Sequence, residues 1–329
     1  MKIINIILSI MPSFIHTRIR RILGAKIDSG VKIKFGSIIN SKFIKIGRDT
    51  TIGPFNIINS DILKIGESSV IKPFSLISAR NIEIGSYVQI APLTIITGEK
   101  TQRSKFIIGN HSRIFPFCWI DTGEGVSIGK NVGVGGHTLI FTHGVWSNFL
   151  DGGPVTYAPV KIEDDVWLPW RVFVMPGVTI EKKTVVGANS VITKNVPENS
   201  LVAGTPAKIL KSNFITRPTL EEQYVLLNKI FHEYVKHKMD KSIFIKDKKV
   251  KIKRGYISTN IADASKINLV FLLEENLYFE AGDLQKFKKN NIIYYPNKSA
   301  YIQKDNSDAL DFIVFLRRFG IRLSIIKIN

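Results

Sequence analysis

Ile46-Gly47-Arg48-Asp49-Thr50-Thr51-Ile52-Gly53-Pro54-Phe55-Asn56-Ile57-Ile58 is followed, from Ile65-Gly66, by a second passage of the same design. Aliphatic residues recur every sixth position, as Ile46, Ile52 and Ile58, then Ile65, Ile71 and Ile77. Further units open at Ile84-Gly85, Ile108-Gly109 and Ile128-Gly129, and Ile162 and Ile180 continue the series with Glu in place of Gly. A period of six fits neither the 3.6 of a helix nor simple strand alternation. It fits a coil of three short strands in which every sixth side chain turns inward and stacks on its counterpart in the next coil. No single coil can bury its own aliphatic face, so the coils must stack. Pro54, Pro73, Pro92 and Pro116 recur at one position of four successive units, with Gly nearby, where the chain must bend.

The composition agrees. The chain has 329 residues and is 44% hydrophobic, enough for a large core with a smaller unit attached. Ile and Val dominate the apolar share and favour strands. The single cysteine, Cys118, forms no internal disulfide and reads as a small buried hydrophobe. A net charge of +19 favours anionic partners such as coenzyme A, nucleotide sugars, lipid-linked phosphates or a membrane surface. Residues 214–329 carry 21 basic and 13 acidic side chains, and residues 1–213 carry 25 and 14. So even a spread is a general bias and not a nucleic-acid footprint.

Residues 1–24 read as a helical segment. Ile3 to Met11 is too short to span a bilayer and is followed by Arg18, Arg20 and Arg21, but by no small-x-small cleavage site. Such a helix packs on the first coil or lies on a membrane. Residues 25–213 hold the repeat. Residues 214–239 read as a linking helix, starting at Thr219-Leu220-Glu221-Glu222 and running to about Lys238. Residues 240–329 read as a small α/β or α+β domain with strand or helix signals at 243–254, 268–273, 284–290, 292–295 and 308–319. Its basic run from Lys246 to Arg254 is a solvated strand face, or one turned to a phosphorylated acceptor or a membrane.

Over roughly residues 25–210 the sequence resembles the hexapeptide-repeat acyltransferases, including the galactoside, maltose and xenobiotic acetyltransferases. The matching segments are Ile128-Gly129-Lys130-Asn131-Val132, Val174-Met175-Pro176-Gly177-Val178-Thr179-Ile180, Val186-Gly187-Ala188-Asn189-Ser190-Val191-Ile192-Thr193-Lys194 and the closing Val202-Ala203-Gly204-Thr205-Pro206-Ala207-Lys208-Ile209. The resemblance implies a mainly β fold, a left-handed parallel β-helix, assembled as a homotrimer. It also implies acetyl-coenzyme A as co-substrate, without a metal.

Two unit spacings are long. Residues 98–105 form a small insertion and roughly 144–160 a large one, and long loops on a rigid scaffold tend to carry function. Acyl transfer needs a base for the acceptor's proton, a task suited to histidine. In the resembling enzymes the catalytic histidine follows an aliphatic-Thr segment at the mouth of such a loop, and Leu139-Ile140-Phe141-Thr142-His143 matches. His143 is therefore the expected base. The family often continues with Pro and an acidic residue, where this chain has Gly144-Val145-Trp146. His137, one hexapeptide earlier, is the rival and reads as a corner residue beside Gly135-Gly136; His111 reads likewise as a corner residue. Asp121 lies one coil below, stacked under Phe141. It orients the imidazole, binds an acceptor hydroxyl, or only forms the turn Asp121-Thr122-Gly123, with Glu124 a weaker candidate of the same kind.

Trp146 and Asp151 on the large loop are the expected acceptor contacts. By segment matching, Ala188, Thr193, Lys194 and Lys208 are the expected coenzyme A positions, the lysines serving its phosphates. Trp167 and Trp170 line the pantetheine channel or pack at a subunit interface. Trp167-Leu168-Pro169 departs from the family's usual Trp-Ile-Gly, and Pro169 removes a backbone N–H from that channel. The resemblance points to an O-acetyltransferase acting on a sugar, nucleotide-sugar or lipid-linked glycan in building a bacterial surface polysaccharide, in the cytoplasm or at the inner face of the membrane. Alternatives are an N-acyltransferase on an amino-sugar nucleotide, a carbonic-anhydrase-like β-helix needing three converging histidines, and a structural β-helix.

Overall fold

The computed structural model describes residues 2–239, 248–253, 256–261, 267–272, 291–294, 299–303 and 307–328. Contacts divide the chain into two compact units, Met1–Thr216 and Arg217–Asn329.

The first unit is a parallel β-helix whose three sides are ladders of the sixth residues. On one side Ile33, Ile52, Ile71, Ile90, Ile114, Val134 and Leu168 are successive register partners. A second side aligns Ile39, Ile58, Ile77, Ile96, Ile120, Ile140, Val174 and Ile192. The third aligns Ile46, Ile65, Ile84, Ile108, Ile128, Ile162 and Ile180. All are buried and belong to one continuous core. Aliphatic stacks on aliphatic down each ladder, mostly isoleucine on isoleucine, and the three ladders merge into one core.

Corner geometry follows from the prolines. Each proline pre-sets its own backbone, and the next residue adopts the left-handed conformation: Phe55 (φ 56), Phe74 (φ 60), Leu93 (φ 57) and Phe117 (φ 61). That conformation costs a non-glycine residue about 1 kcal/mol. In three of the four the N–H bonds to the coil below: Phe55 N donates to Phe35 O at 3.1 Å, Phe74 N to Pro54 O at 3.2 Å and Leu93 N to Pro73 O at 3.3 Å. His137 (φ 56) occupies the same corner higher up, and its ring stacks between Phe117 (5.0 Å) and Trp170 (5.8 Å).

Both ends of the stack are closed. Leu201–Gly204 turns back as an antiparallel hairpin with Ala207–Lys211, built from the Gly-Thr-Pro-Ala-Lys segment. At the other end, helices α1 (Lys2–Ser9) and α2 (Ser13–Ile22), broken at Pro12, rest on the first coil. Gly36 N donates to Ser9 O (2.7 Å), Ile33 N to Ser13 Oγ (2.9 Å), and Arg20 to Ile39 O (2.9 Å). Packing on the first coil is thus what one face of this segment does. No helix among the described residues is long and apolar enough to cross a membrane.

In the second unit, helix α3 (Leu220–Met239) opens with a capping box: Thr219 N donates to Glu222 Oε2 (2.8 Å) and Glu222 N to Thr219 Oγ1 (3.3 Å). It packs through Tyr234 on Phe312 and Phe315 of helix α4 (Ser307–Leu316), so it belongs to this unit's core. Six strands form a mixed sheet: Lys248–Lys253, Tyr256–Ile261, Ile267–Leu272, Asn291–Tyr294, Ser299–Gln303 and Ser324–Ile328. The sequence reading has no strand at Tyr256–Ile261 or Ser299–Gln303, and its signal at 284–290 lies outside the described residues.

Candidate active site

Both insertions emerge from the same corner of the β-helix, two coils apart, because the strands entering them, Ile95–Thr97 and Leu139–Ile140, are both register partners of Trp119–Asp121 between them. The small loop thereby floors the site that the large loop roofs. In the large loop His143–Val145 pairs antiparallel with Val155–Tyr157, His143 opposite Tyr157, and their rings stack at 6.1 Å. His143 is at the base of this hairpin, on the wall of the β-helix.

Asp121 lies directly below and is buried. Its Oδ2 accepts from His143 Nδ1 (2.7 Å), Thr142 Oγ1 (2.6 Å) and Thr142 N (2.9 Å), and its Oδ1 accepts from Gly123 N (3.0 Å). Burial pushes this carboxyl toward its neutral form. The bonds from the Thr142 hydroxyl, the Gly123 and Thr142 amides and the His143 ring outweigh burial, and the net direction is below the ordinary carboxylate value. An ionised Asp121 can only accept, so Nδ1 of His143 carries the hydrogen and Nε2 keeps its lone pair. Gly98 makes room for this carboxylate: a Cβ there would lie 2.5 Å from Asp121 Oδ1.

Thr142 is the piece that sequence reasoning missed. Fully buried, it donates to Asp121, and its hydroxyl accepts from Glu124 N (3.1 Å). Glu124 is itself buried and ion-paired to Arg103 of the small loop at 2.6 Å. From Glu124 and Pro159 a groove of 590 Å³ runs down the same corner, lined by Lys42, Asp61, Arg80, Arg103 and Lys105.

The other expected residues are more scattered. Trp146 is 99% exposed at the hairpin tip, and Asp151 stands in the short turn Phe149–Asp151, where it accepts from Asn148 Nδ2 (2.8 Å). Among the described residues neither forms a hydrogen bond, ion pair or ring contact with His143, whose partners are Asp121 and Tyr157. Trp167 and Trp170 are about half exposed, on and beside the side that carries Leu168. Under them, the paired glycines are required: a Cβ on Gly135 would lie 2.3 Å from the Pro169 backbone, and one on Gly136 2.4 Å from the Trp170 ring. Ala188 occupies the same corner as Trp170, whereas Thr193 and Lys194 lie on the corner of His143, two coils on, all exposed. Lys208 is exposed on the closing hairpin, and among the described residues neither Lys194 nor Lys208 forms an ion pair. Cys118 is buried, its thiol pushed up to about 12 by burial, so it is no nucleophile. His137 sits on a different corner from His143, and among the described residues no group of three metal-capable side chains occurs.

Comparison with known proteins bears on the same region. A family model, the hexapeptide repeat of succinyl-transferase, matches residues 159–194. The galactoside O-acetyltransferase of Escherichia coli is 36% identical over 93 residues, 28% of this chain and 43% of that protein. A tetrahydropyridine-dicarboxylate N-acetyltransferase of Staphylococcus aureus is 33% identical over 102 residues, 31% of this chain and 39% of that protein. The chain thus spans less than half the length of either relative. A solved structure, a hexapeptide-repeat-containing acetyltransferase from Vibrio cholerae, is 32% identical, with 40% of this chain and 73% of that one covered and a TM-score of 0.35. In its repeat, its parallel β-helix and these identities, the chain is similar to the hexapeptide-repeat acetyltransferases.

Proposed function

We propose that the protein transfers an acetyl group from acetyl-coenzyme A to a sugar hydroxyl, with His143 as general base and Asp121 as the residue that orients it. The observation that carries this reading is the 2.7 Å contact between His143 Nδ1 and a buried carboxylate, which leaves Nε2 as the free base. In this scheme Nε2 takes the proton of the acceptor hydroxyl as its oxygen attacks the thioester carbonyl. The C–S bond then breaks, and the thiolate of coenzyme A leaves with that proton returned from the imidazolium. Exposed and unpaired Lys194 and Lys208 suit the phosphates of coenzyme A, with Ala188, Thr193 and Trp167 beside its pantetheine arm.

For the acceptor, a sugar carrying an anionic group is favoured by the groove beside Glu124. There Asp61 faces both Lys42 (3.2 Å) and Arg80 (3.4 Å), so cations exceed carboxylates. A nucleotide-sugar or lipid-linked glycan of surface-polysaccharide synthesis fits, on the cytoplasmic side where coenzyme A is available. Because Trp146 and Asp151 are exposed on the loop and make no contact with His143 among the described residues, we assign them to the acceptor site of a neighbouring subunit in a homotrimer. Light scattering at micromolar concentration should give three chains, and a monomer contradicts this assembly.

The activity is tested by following thiol release from acetyl-coenzyme A against a panel of neutral sugars, nucleotide-sugars and amino-sugars. Mass spectrometry and alkaline lability of the product separate O- from N-acetylation. Release with hydroxyl acceptors and an alkali-labile acetyl group supports the proposal; a stable amide product, or no release with any of them, overturns it.

A further inference from the structure

The two N-terminal helices rest on the first coil with their polar side inward. Asn5, Ser9, His16, Thr17 and Arg20 are buried against the β-helix, with Leu8 the one fully buried aliphatic among them. Arg20 donates to His16 Nε2 (2.7 Å), Asn5 Oδ1 (3.2 Å) and Ile39 O (2.9 Å). Facing outward are Ile3 (75% exposed), Ile6 (56%), Ile10 (58%), Phe14 (71%), Ile22 (78%) and Leu23 (60%). A cap whose neighbour is water has the opposite arrangement, since exposing this much aliphatic surface forgoes the main driving force of folding. The outward face therefore matches a non-aqueous neighbour.

We propose that this end of the β-helix docks on an anionic lipid bilayer, with α1 and α2 lying in the headgroup region. Charge selects lipid over a second copy of the chain. Residues 1–45 contain nine Lys and Arg against one acidic residue, Asp28, and seven of the nine remain once the buried Arg20 and the Asp61-paired Lys42 are set aside. On α2 the exposed Arg18 falls between Phe14 and Ile22 at four-residue spacing, on the same helix face. Two such surfaces pressed together would set like charges against each other. An anionic headgroup layer attracts them while the isoleucines enter the acyl boundary. Helices of 8 and 10 residues are too short to cross the bilayer, so they lie on it.

The test uses the full chain in co-flotation with vesicles of phosphatidylcholine alone and of phosphatidylcholine with about one-third phosphatidylglycerol. Wild-type protein should float with the anionic vesicles, more weakly at high salt, and hardly with the neutral ones. Combined Ile6→Gln, Ile10→Gln and Phe14→Gln should weaken that binding at least about tenfold at unchanged melting temperature, because all three side chains face outward. Arg18→Gln should weaken it a few-fold on anionic vesicles alone. The proposal is overturned if wild type fails to float with anionic vesicles, or if the triple variant floats as well as wild type. It is also overturned if the triple variant's only effect is a fall in the light-scattering mass, which would make a second copy the occupant.

Discussion

His143 and Asp121 are 22 residues apart in sequence and one coil apart in space, with Nδ1 and Oδ2 2.7 Å from each other. The β-helix register makes this pair: Ile120 is the partner of Ile140, so Asp121 comes under Phe141. Thr142, with its amide and hydroxyl both bonded to Asp121 Oδ2, then turns the chain so that the next side chain reaches back to the same oxygen.

That geometry makes Asp121→Asn informative. An amide can present N–H to Nδ1 and so favour the tautomer whose Nε2 is already protonated. Turnover should fall about a hundredfold or more, with the KM for acetyl-coenzyme A nearly unchanged. Asp121→Ala should in addition lower the melting temperature, because the Thr142 and Gly123 donors lose their acceptor at a cost of about 1–3 kcal/mol each. Normal turnover in Asp121→Asn would reduce Asp121 to a turn former.

Lys208→Glu places a carboxylate on the closing hairpin where coenzyme A phosphates are proposed to lie. Binding measured by calorimetry should weaken about tenfold, with folding intact because the side chain is exposed. Unchanged affinity would move the phosphate site elsewhere.

The fold was legible because the six-residue repeat states the stacking directly, and Ile46, Ile65 and Ile84 do stack. The same register made Asp121 a candidate under Phe141. The buried Glu124–Arg103 pair and the two-sided role of Thr142 were not legible, since they join insertions whose lengths break the period. Nor was the placement of Trp146 and Asp151: a loop's composition does not say that it folds as a hairpin and carries them to its tip. The helical ends showed only hydropathy. That Asn5, His16 and Arg20 face inward depends on the hydrogen bonds offered by the first coil.

His16 supplies a pH dependence. Burial, and secondarily the Arg20 charge, lower it from 6.5 to about 4. In the unfolded chain it gains a proton as pH falls through 6.5, while in the folded cap it stays neutral until about pH 4. Its contribution is therefore fully present above pH 6.5 and lost progressively down to about pH 4, by about 3 kcal/mol in all. His16→Gln, which keeps an acceptor for Arg20, should lack this loss. Parallel stability curves for the two proteins over that range would contradict the assignment.

Turnover of His143→Ala beside His137→Ala, at saturating acetyl-coenzyme A with the best acceptor of the panel, tests the central claim most directly. His143 is aligned by a buried carboxylate at the hairpin base, whereas His137 is stacked between Phe117 and Trp170 on another corner. His143→Ala should lower turnover by about a hundred- to ten-thousand-fold with coenzyme A affinity nearly unchanged, and His137→Ala should cost only local packing. A crippled His137→Ala beside a near-normal His143→Ala would contradict the account.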